Sequence, residues 1–135
     1  MLPVGSGEPS PGFIASLRFR GPEVLAGLRE AAAVLSTKPG FVDVRIARAV
    51  DDASLILFEC AWESVGAYRR ALSSYDVKVS VVPVLAQCLD EATAFETLHV
   101  RTPESAVDAA GALAADADTI RLGEAAAGFV PPAPA

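Results

Sequence analysis

Cysteine and histidine are scarce in this chain of 135 residues, which has two of the former and one of the latter. Cys60 and Cys88 are not in Cys-x-x-Cys spacing, and His99 alone cannot complete a Cys/His zinc set. We therefore predict no metal site and no disulfide bond. Both cysteines are expected to be reduced and buried as small apolar side chains.

Net positive charge and long apolar runs are also missing. Lys and Arg number 11 against 17 Asp and Glu, a net charge of −6 that is spread along the chain. This balance disfavours a nucleic-acid groove or an anionic membrane surface as a partner. No apolar run approaches the roughly 18 residues that a membrane-spanning helix needs. Because 52% of the residues are hydrophobic, apolar side chains must fill a core, a pocket or a subunit interface.

The length fits one domain with a terminal segment on either side. Residues 1–12 hold three prolines and three glycines, which predicts a flexible arm, and they lack the basic and apolar regions of a secretory signal. We therefore expect a cytoplasmic protein whose folded domain spans residues 13–100. In the extension over 101–135, a Thr-Pro pair predicts a short helix over 104–115, and the final Pro/Ala-rich stretch cannot order itself alone.

Alternation of apolar and polar side chains predicts four strands. They occupy FIASLRFR, FVDVRIARAV, residues 54–62, and TAFETLHV over residues 93–100. Apolar residues spaced by three and four predict one helix between the first two strands and another that begins at Ser64. The stretch Asp51-Asp52-Ala53 is typical of a turn, so the second and third strands should form an antiparallel hairpin. The stretch DVKVSVVPVLAQCL fits a strand or a helix, and we predict a short helix disturbed at Pro83.

The order strand-helix-strand-strand-helix-strand is a doubled split βαβ unit. With right-handed crossovers it folds as a ferredoxin-like plait of the α+β class, a four-stranded antiparallel sheet with both helices on one face. The other face would expose Ile14, Leu55 and Leu57 to water, and such a patch usually marks an oligomer interface. We therefore expect a homodimer in which two sheets pack face to face. On that face Arg18 is predicted to pair with Glu59.

Several short motifs, taken in their order and spacing, indicate a resemblance to a particular protein family. They are Pro39-Gly40-Phe41, the Asp51-Asp52 hairpin, Trp62-Glu63-Ser64 and Tyr68-Arg69. On these motifs the stretch from 13 to 100 resembles the antibiotic biosynthesis monooxygenase superfamily of dimeric α+β barrels. Its members include cofactor-independent oxygenases of aromatic polyketides and quinols, haem-degrading enzymes and proteins with no known reaction. The resemblance therefore implies a monooxygenase that needs no cofactor and acts on a polyketide-like or quinol-like aromatic substrate.

The resemblance also implies that a ligand binds between the helices and the sheet of each subunit, where Trp62 projects. It makes Trp62 the pocket wall and oxyanion donor, and Tyr68 a proton donor or orienting group. The helix-facing residues Phe13, Leu17 and Phe58 are predicted to line this pocket. Polar candidates to reach it are Tyr75, Gln87, Thr97 and His99. The ligand would be a small, flat, apolar aromatic molecule.

Two departures from the family pattern leave other functions open. The oxygenases combine their tryptophan with an asparagine, but this chain has none, and Phe58 stands four residues before Trp62. Haem-degrading relatives carry a histidine in the helix after the tryptophan, whereas the single histidine here, His99, lies elsewhere. The alternative is therefore a non-catalytic dimer of the same fold that binds a small molecule or assists other enzymes, and haem binding is a third function. Trp62 is equally compatible with a core aromatic that seals the sheet.

Overall fold

The computed structural model describes residues 12–109, which form an antiparallel sheet covered on one face by helices. The strands of this sheet are β1 (Phe13–Arg20), β2 (Phe41–Ala49), β3 (Asp52–Trp62) and β4 (Ala94–Glu96). The helices are α1 (Leu25–Leu35), α2 (Val65–Ser73), α3 (Tyr75–Ser80) and α4 (Val82–Leu85), with a 3₁₀ turn at Pro22–Val24. The spatial order β2-β3-β1-β4, antiparallel throughout, confirms the predicted ferredoxin-like α+β fold.

The core follows from the alternation in the two central strands. Every second residue is buried: Phe13, Ala15, Leu17 and Phe19 in β1, and Ile56, Phe58, Cys60 and Trp62 in β3. The β1–β3 register sets Phe13 opposite Trp62 and Leu17 opposite Phe58, so buried side chains pair across the strands. The helices, and Val81 between α3 and α4, cover this face; the buried helical residues include Leu28, Ala31, Leu35, Ala67, Tyr68, Ala71, Val77 and Leu85. Removal of this apolar surface from water is the main stabilising contribution to the fold.

The stretch DVKVSVVPVLAQCL, whose sequence fits both a strand and a helix, is helical over most of its length. α3 ends at Ser80 and α4 begins at Val82, with Pro83 in the first turn of α4, where a helix does not need its N–H. The predicted short helix disturbed at Pro83 is therefore confirmed. Lys38, just after α1, donates from Nζ to both carboxylate oxygens of Asp76 at 2.7 and 2.8 Å, which ties α3 to the end of α1.

The fourth strand is shorter than predicted. β4 pairs with β1 over three residues only, whereas the predicted strand ran over 93–100. Before β4, irregular chain continues along the same edge of β1. There Ser16 N donates to Thr93 O at 2.8 Å, and Leu89 N donates to Arg18 O at 2.7 Å. The backbone of β1 therefore has partners on this side along most of its length.

The helix predicted over 104–115 is wrong in its described part. The chain instead forms a β-hairpin, in which β5 (His99–Arg101) pairs with β6 (Ala106–Asp108) as a second sheet. Residues 110–115 lie outside the described residues. The domain boundary predicted at residue 100 falls inside this hairpin.

The turn of the hairpin explains the error. Thr102 Oγ1 accepts a hydrogen bond from Ser105 N at 3.1 Å, which is the contact that a helix N-cap makes. The same bond also closes a tight turn, where Thr102 N donates to Ser105 O at 2.7 Å. Ala106 then pairs with Arg101, and the strand ladder replaces the first helical turn.

The turn between α1 and β2 depends on a glycine. Gly40 has φ of +88°, and a Cβ placed on it would lie 2.4 Å from Cβ of Ala67 in α2. Its carbonyl accepts a hydrogen bond from Glu63 N at 2.8 Å, which fastens the end of β3 to this turn. Only a residue without a side chain allows so close an approach at this backbone conformation.

We predict that Gly40→Ala lowers the free energy of unfolding by about 2 kcal/mol or more, because left-handed backbone strain adds to the clash with Ala67. The matched control is Gly66→Ala in α2, where the nearest atom is the flexible Arg70 guanidinium at 3.2 Å. Helix propensity favours that control by about 0.5–1 kcal/mol. Urea denaturation measures both, and equal stability of the two variants would contradict this role for Gly40.

Candidate functional site

Four aromatic side chains meet at one end of the sheet and are together termed the aromatic cluster: Phe13, Phe41, Trp62 and Tyr68. The rings of Phe41 and Trp62 meet edge to face with centroids 5.5 Å apart. The Tyr68 ring lies 5.1 Å from that of Phe13 and 5.7 Å from that of Trp62. Aromatic pairs in such arrangements contribute about 0.5–1.5 kcal/mol each beyond their burial. The cluster lies where the sheet meets α2.

The sequence after β3 brings Tyr68 onto Trp62. β3 ends at Trp62, and Ser64 is the N-cap of α2, its Oγ accepting a hydrogen bond from Ala67 N at 3.1 Å. This cap fixes the direction in which the helix leaves the strand. Tyr68, at the end of the first helical turn, therefore packs back against the indole ring. Phe13 completes the contact because it faces Trp62 in the β1–β3 ladder.

Within residues 12–109, two polar atoms of the aromatic cluster are buried without a hydrogen-bond partner, Nε1 of Trp62 and the hydroxyl oxygen of Tyr68. Both residues are only 1% exposed. The Cys60 thiol interacts with the Trp62 side chain, but its sulfur is a weak acceptor and does not reach hydrogen-bond geometry with the indole N–H. A buried polar group left unpaired costs about 1–3 kcal/mol, and native proteins contain few of them. Two such groups on neighbouring rings are the arrangement expected where a ligand oxygen or a water binds.

Burial also sets the protonation of this region. It raises the pKa of the Tyr68 hydroxyl, and the nearby Cys60 and Cys88 thiols raise it further. Burial likewise raises the pKa of Cys60 to about 12, against a smaller lowering by the Trp62 side chain. Both groups are therefore protonated at neutral pH. Tyr68 can donate a hydrogen bond or a proton but cannot serve as a base, and Cys60 is not a thiolate nucleophile.

The structure brings together most of the side chains predicted for the site and leaves two apart. Phe13, Leu17, Phe58, Trp62 and Tyr68 are buried in one core cluster. Tyr75 is 81% exposed, because the extended Ser74 interrupts the helix and α3 starts in a new orientation. His99 lies in β5, outside the four-stranded sheet, with Nδ1 at 2.6 Å from Oδ1 of Asp108. Neither residue belongs to the aromatic cluster.

The remaining polar candidates are also peripheral. Gln87 is exposed, and its side-chain amide donates to the carbonyl of Pro83 at 3.4 Å. Thr97 is half-buried just after β4, where its backbone N–H donates to the carbonyl of Gly12 at 3.2 Å. The polar atoms of the aromatic cluster therefore come from Trp62 and Tyr68.

Two residues at the site were not predicted for it. Phe41 contacts Trp62, its partner in the β2–β3 hairpin, but two register shifts lie between the turn and this pair, so counting along the sequence would not have paired them. Cys60 was expected only as a small buried side chain. It lies two residues before Trp62 on the buried face of β3, close enough to Tyr68 to raise its pKa. The alternation of β3 was the signal that could have placed Cys60 on the same face as Trp62.

The open face of the sheet differs from the prediction in its ion pairs. Arg18 Nε lies 3.7 Å from Oε2 of Glu91 in the chain before β4, and Glu59 is not its partner. The register explains this difference, because Ser16 is the β1 residue opposite Glu59. On the other side of β3, Arg45 lies opposite Glu59.

Metal ligands and membrane spans were also sought in the part of the chain that the structure describes. Within residues 12–109, no three His, Cys, Asp or Glu side chains come together in a way that could hold a metal ion. None of the helices in that range has the length and apolar character needed to cross a bilayer. Cys60 and Cys88 are both free thiols.

The raised pKa of Cys60 predicts a specific loss of stability at high pH. The unfolded thiol ionises near pH 9.0 and the folded one near pH 12, so its contribution is complete below pH 9 and is lost as pH rises towards 12. Relative to Cys60→Ala, the wild type should lose about 1.4 kcal/mol more of its unfolding free energy per pH unit in that window. Urea denaturation below and across the window measures this difference. Parallel pH profiles for the two proteins would show that the thiol is not held protonated by the fold.

Comparison with known proteins points to one group of folds. No family model matches the sequence, and no curated protein matches it. SnoaB, a cofactor-independent oxygenase from Streptomyces nogalater, has a similar solved structure, with a TM-score of 0.58 and 22% identity over 71% of this chain and 100% of its own. A putative antibiotic biosynthesis monooxygenase from Nitrosomonas europaea matches with a TM-score of 0.53 and 10% identity over 67% of this chain and 94% of its own. The fold that the sequence resemblance implied is thereby confirmed, because the chain has the same fold as these two proteins.

Proposed function

We propose that the protein is a cofactor-independent monooxygenase of the antibiotic biosynthesis monooxygenase type, acting on a flat aromatic substrate of the polyketide or quinol kind. The observation that carries this proposal is the pair of buried, unpaired polar atoms on Trp62 and Tyr68. The fold shared with SnoaB, whose name describes a cofactor-independent oxygenase, supports it. We place the enzyme in the cytoplasm, where free thiols such as Cys60 and Cys88 are ordinary.

The surroundings of the two polar atoms fit an aromatic ligand. The Phe13 ring contacts the ring of Tyr68 and the Phe41 ring that of Trp62, and Leu17 and Phe58 belong to the same core cluster. Apolar and aromatic walls with a few convergent polar groups are usual for small-molecule sites. Thr93 is the only polar or charged residue that is buried in the described range, so the walls select an uncharged ligand. Since Trp62 and Tyr68 are fully buried, neighbouring side chains must move as the ligand enters.

With a substrate of the anthrone kind, the proposed reaction inserts oxygen at a CH₂ group beside an aromatic ketone. The carbon loses a proton to solvent, the carbanion passes an electron to O₂, and the two radicals combine to form a peroxide anion, which takes up a proton. Loss of water from the peroxide leaves a new carbonyl group. One oxygen atom of O₂ enters the product and the other leaves as water. The two C–H bonds supply all the electrons, so no external reductant is needed.

Trp62 and Tyr68 would stabilise the negative charge that develops on the substrate oxygen. The indole N–H donates to the oxygen on which the carbanion delocalises, and the Tyr68 hydroxyl donates to the same oxygen or protonates the peroxide. Donors held in place in a water-poor site stabilise such charge far more than they would in water. The residues that are buried in the described range include no carboxylate or imidazole to remove the first proton. The proposed substrate is therefore one that ionises readily without a protein base.

A second candidate function is ligand binding without catalysis, as a carrier or an accessory to other enzymes. Phe58 favours it, because the oxygenases of the family carry an asparagine and this position is occupied by a buried phenyl ring. The whole chain contains no asparagine that could replace it. This candidate predicts tight binding of an aromatic ligand and no turnover.

The purified, metal-free protein is expected to accelerate O₂ uptake with a hydroxyanthrone or a hydroquinol. Trp62→Phe should lower the rate by about 10²–10³-fold, the usual loss for one oxyanion donor, and Tyr68→Phe should also lower it. The matched control is Tyr75→Phe, which removes the same hydroxyl from an exposed ring and should leave the rate unchanged. A comparable loss of O₂-uptake rate in Tyr75→Phe would indicate that Tyr75 contacts the substrate after all.

The same substrates separate the candidate functions. Trp62 is the only tryptophan, so a ligand in the aromatic cluster changes the intrinsic fluorescence. Quenching without O₂ uptake above the spontaneous rate would support the binding protein and overturn the oxygenase. Absence of both signals would remove the aromatic cluster as the ligand site. A Soret shift on addition of hemin would instead favour haem binding.

We also propose that two copies pair through the open faces of their sheets. The apolar residues of this face are Ile14, Leu55, Leu57 and Phe95, all partly accessible in a single copy. Phe95 is 46% exposed. Arg18 pairs with Glu91 within the same copy, which reduces the cost of covering the face. The row of Ser16, Glu59 and Arg45 divides these residues into two apolar groups on one face. Apolar side chains exposed on one face of a sheet commonly mark a two-fold interface.

Leu57→Glu is expected to convert the dimer to a folded monomer, because it would place a charge in the middle of the interface. Val79→Glu, on α3 of the helical layer, is the matched control; Val79 is 56% exposed and lies outside the sheet. Sedimentation equilibrium gives the mass and circular dichroism confirms folding. A monomer for Val79→Glu together with a dimer for Leu57→Glu would move the interface to the helical side.

A further inference from the structure

Phe41 is the member of the aromatic cluster that reaches the surface. All four residues of the cluster lie in the range that the structure describes. Phe13 is 4% exposed and Trp62 and Tyr68 are 1% exposed, whereas Phe41 is half-buried. Its ring meets that of Trp62 edge to face, with centroids 5.5 Å apart. Phe41 therefore lies between the enclosed indole ring and solvent.

The helices cover the edge strand β2 incompletely. β2 is at one edge of the four-stranded sheet, beside β3. The helix-facing residues that follow Phe41 in this strand are Val44 and Ile46, and both are half-buried. Their partners in β3, Cys60 and Phe58, are enclosed. The layer between the sheet and the helices is thus accessible to solvent along β2.

The opposite side of the aromatic cluster is more closed. Phe13 belongs to β1, which lies one strand in from the other edge, because β4 pairs with it. Beyond β4, Thr97 N donates to the carbonyl of Gly12 at 3.2 Å, so the chain stays on β1 past its first residue. A ligand that approaches the cluster from the sheet edges therefore meets less obstruction at Phe41 than at Phe13.

The backbone around Phe41 departs from a regular strand on both sides. Gly40 has φ of +88°, and its carbonyl is held by Glu63 N at 2.8 Å. A register shift between Phe41 and Asp43 makes Val42 the extra residue of a β-bulge, and Val42 is 54% exposed. Bulges are frequent beside functional sites, where they redirect a side chain. The Phe41 backbone is therefore held at Gly40, while its side chain has solvent beside it.

An outward turn of the Phe41 side chain would exchange one aromatic contact for another. The ring leaves the edge of Trp62, and a ring of a flat aromatic ligand takes up the same kind of contact. Rotation of a side chain at the surface needs no movement of the backbone. Entry at this point therefore leaves the hydrogen bonds of β2 and α2 intact.

We propose that Phe41 is the entrance residue of the ligand site. Its ring turns outward to admit a flat aromatic ligand along β2, and its size limits which ligands reach Trp62 and Tyr68. Phe41 thereby acts on substrate selection and on the rate of entry, and takes no part in proton transfer. The proposal rests on the ligand site proposed above and does not depend on the oxygenase chemistry.

Acrylamide quenching of Trp62 fluorescence tests the entrance without a substrate. Phe41→Ala should raise the quenching constant by about two- to tenfold, the change in accessible population expected when one aromatic contact is lost. Val42→Ala, at the adjacent exposed position in the bulge, is the matched control and should leave quenching unchanged. Unchanged quenching in Phe41→Ala, or an equal increase in Val42→Ala, would overturn the proposal.

Phe13→Ala separates an entrance from a general loosening of the core. It removes the same ring from the other side of the aromatic cluster and should raise quenching less than Phe41→Ala does. Circular dichroism gives the folded fraction of each variant, and Phe41→Leu provides the test if Phe41→Ala does not fold. Greater quenching in Phe13→Ala than in the folded Phe41 variant would place the entrance beside β4 and overturn the proposal.

Ligand entry and selection are measured with a tricyclic hydroxyanthrone and a tetracyclic homologue. In stopped-flow quenching of Trp62, Phe41→Ala should raise the association rate constant of both. In O₂ uptake, the ratio of kcat/KM for the tetracyclic to the tricyclic substrate should rise by about tenfold or more, as is usual when a pocket gains room. Unchanged entry rates and an unchanged ratio would overturn the proposal. Faster entry without O₂ uptake in any variant would support the entrance and overturn the oxygenase.

Discussion

The contact between Gly40 and α2 is the constraint on which the candidate site depends. The glycine carbonyl holds the backbone just after Trp62, and its bare Cα leaves room for Ala67. The start of α2 is thus fixed against the end of β3, and Tyr68 lies over the indole ring. Phe41, the next residue in the chain, reaches the edge of the same ring. One turn therefore sets the relative positions of three of the four rings in the aromatic cluster.

Burial of the aromatic cluster lowers the stability of the protein but also suits the site to binding a ligand. Two unpaired polar atoms at about 1–3 kcal/mol each are a large burden for a domain whose total stability is about 5–15 kcal/mol. The fully buried side chains of β1 and β3 offset that burden. Burial also keeps Tyr68 and Cys60 protonated, so that the region offers donors and no anion. A low-dielectric site in which donors lack internal partners is well suited to an oxygen atom that gains charge.

The sequence predicted the strands and helices correctly where the periodicity of apolar residues was unambiguous. Alternation predicted β1 and β3, and the spacing after Ser64 predicted the helix that places Tyr68 beside the strand end. The failures lie where one local pattern serves two structures. The Thr-x-x-Ser bond at residues 102–105 can cap a helix or close a turn, and pairing with β5 decided the outcome. Tyr75 was misplaced because a single extended residue, Ser74, resets the helical phase. The missing hydrogen bonds of the buried donors depend on packing in three dimensions, which no spacing reveals.

The chain that accompanies β1 on its outer side has a consequence for aggregation. Leu89, Thr93 and β4 occupy the backbone groups of that edge, so a foreign strand cannot add to β1, and the outer strand β4 is only three residues long. The other edge of the four-stranded sheet is β2, which is interrupted by two register shifts and carries exposed charges at Asp43 and Arg45. Bulges and charges of this kind oppose edge-to-edge pairing. The apolar side chains on the open face of the sheet are therefore flanked by two edges that oppose growth of the sheet into fibrils.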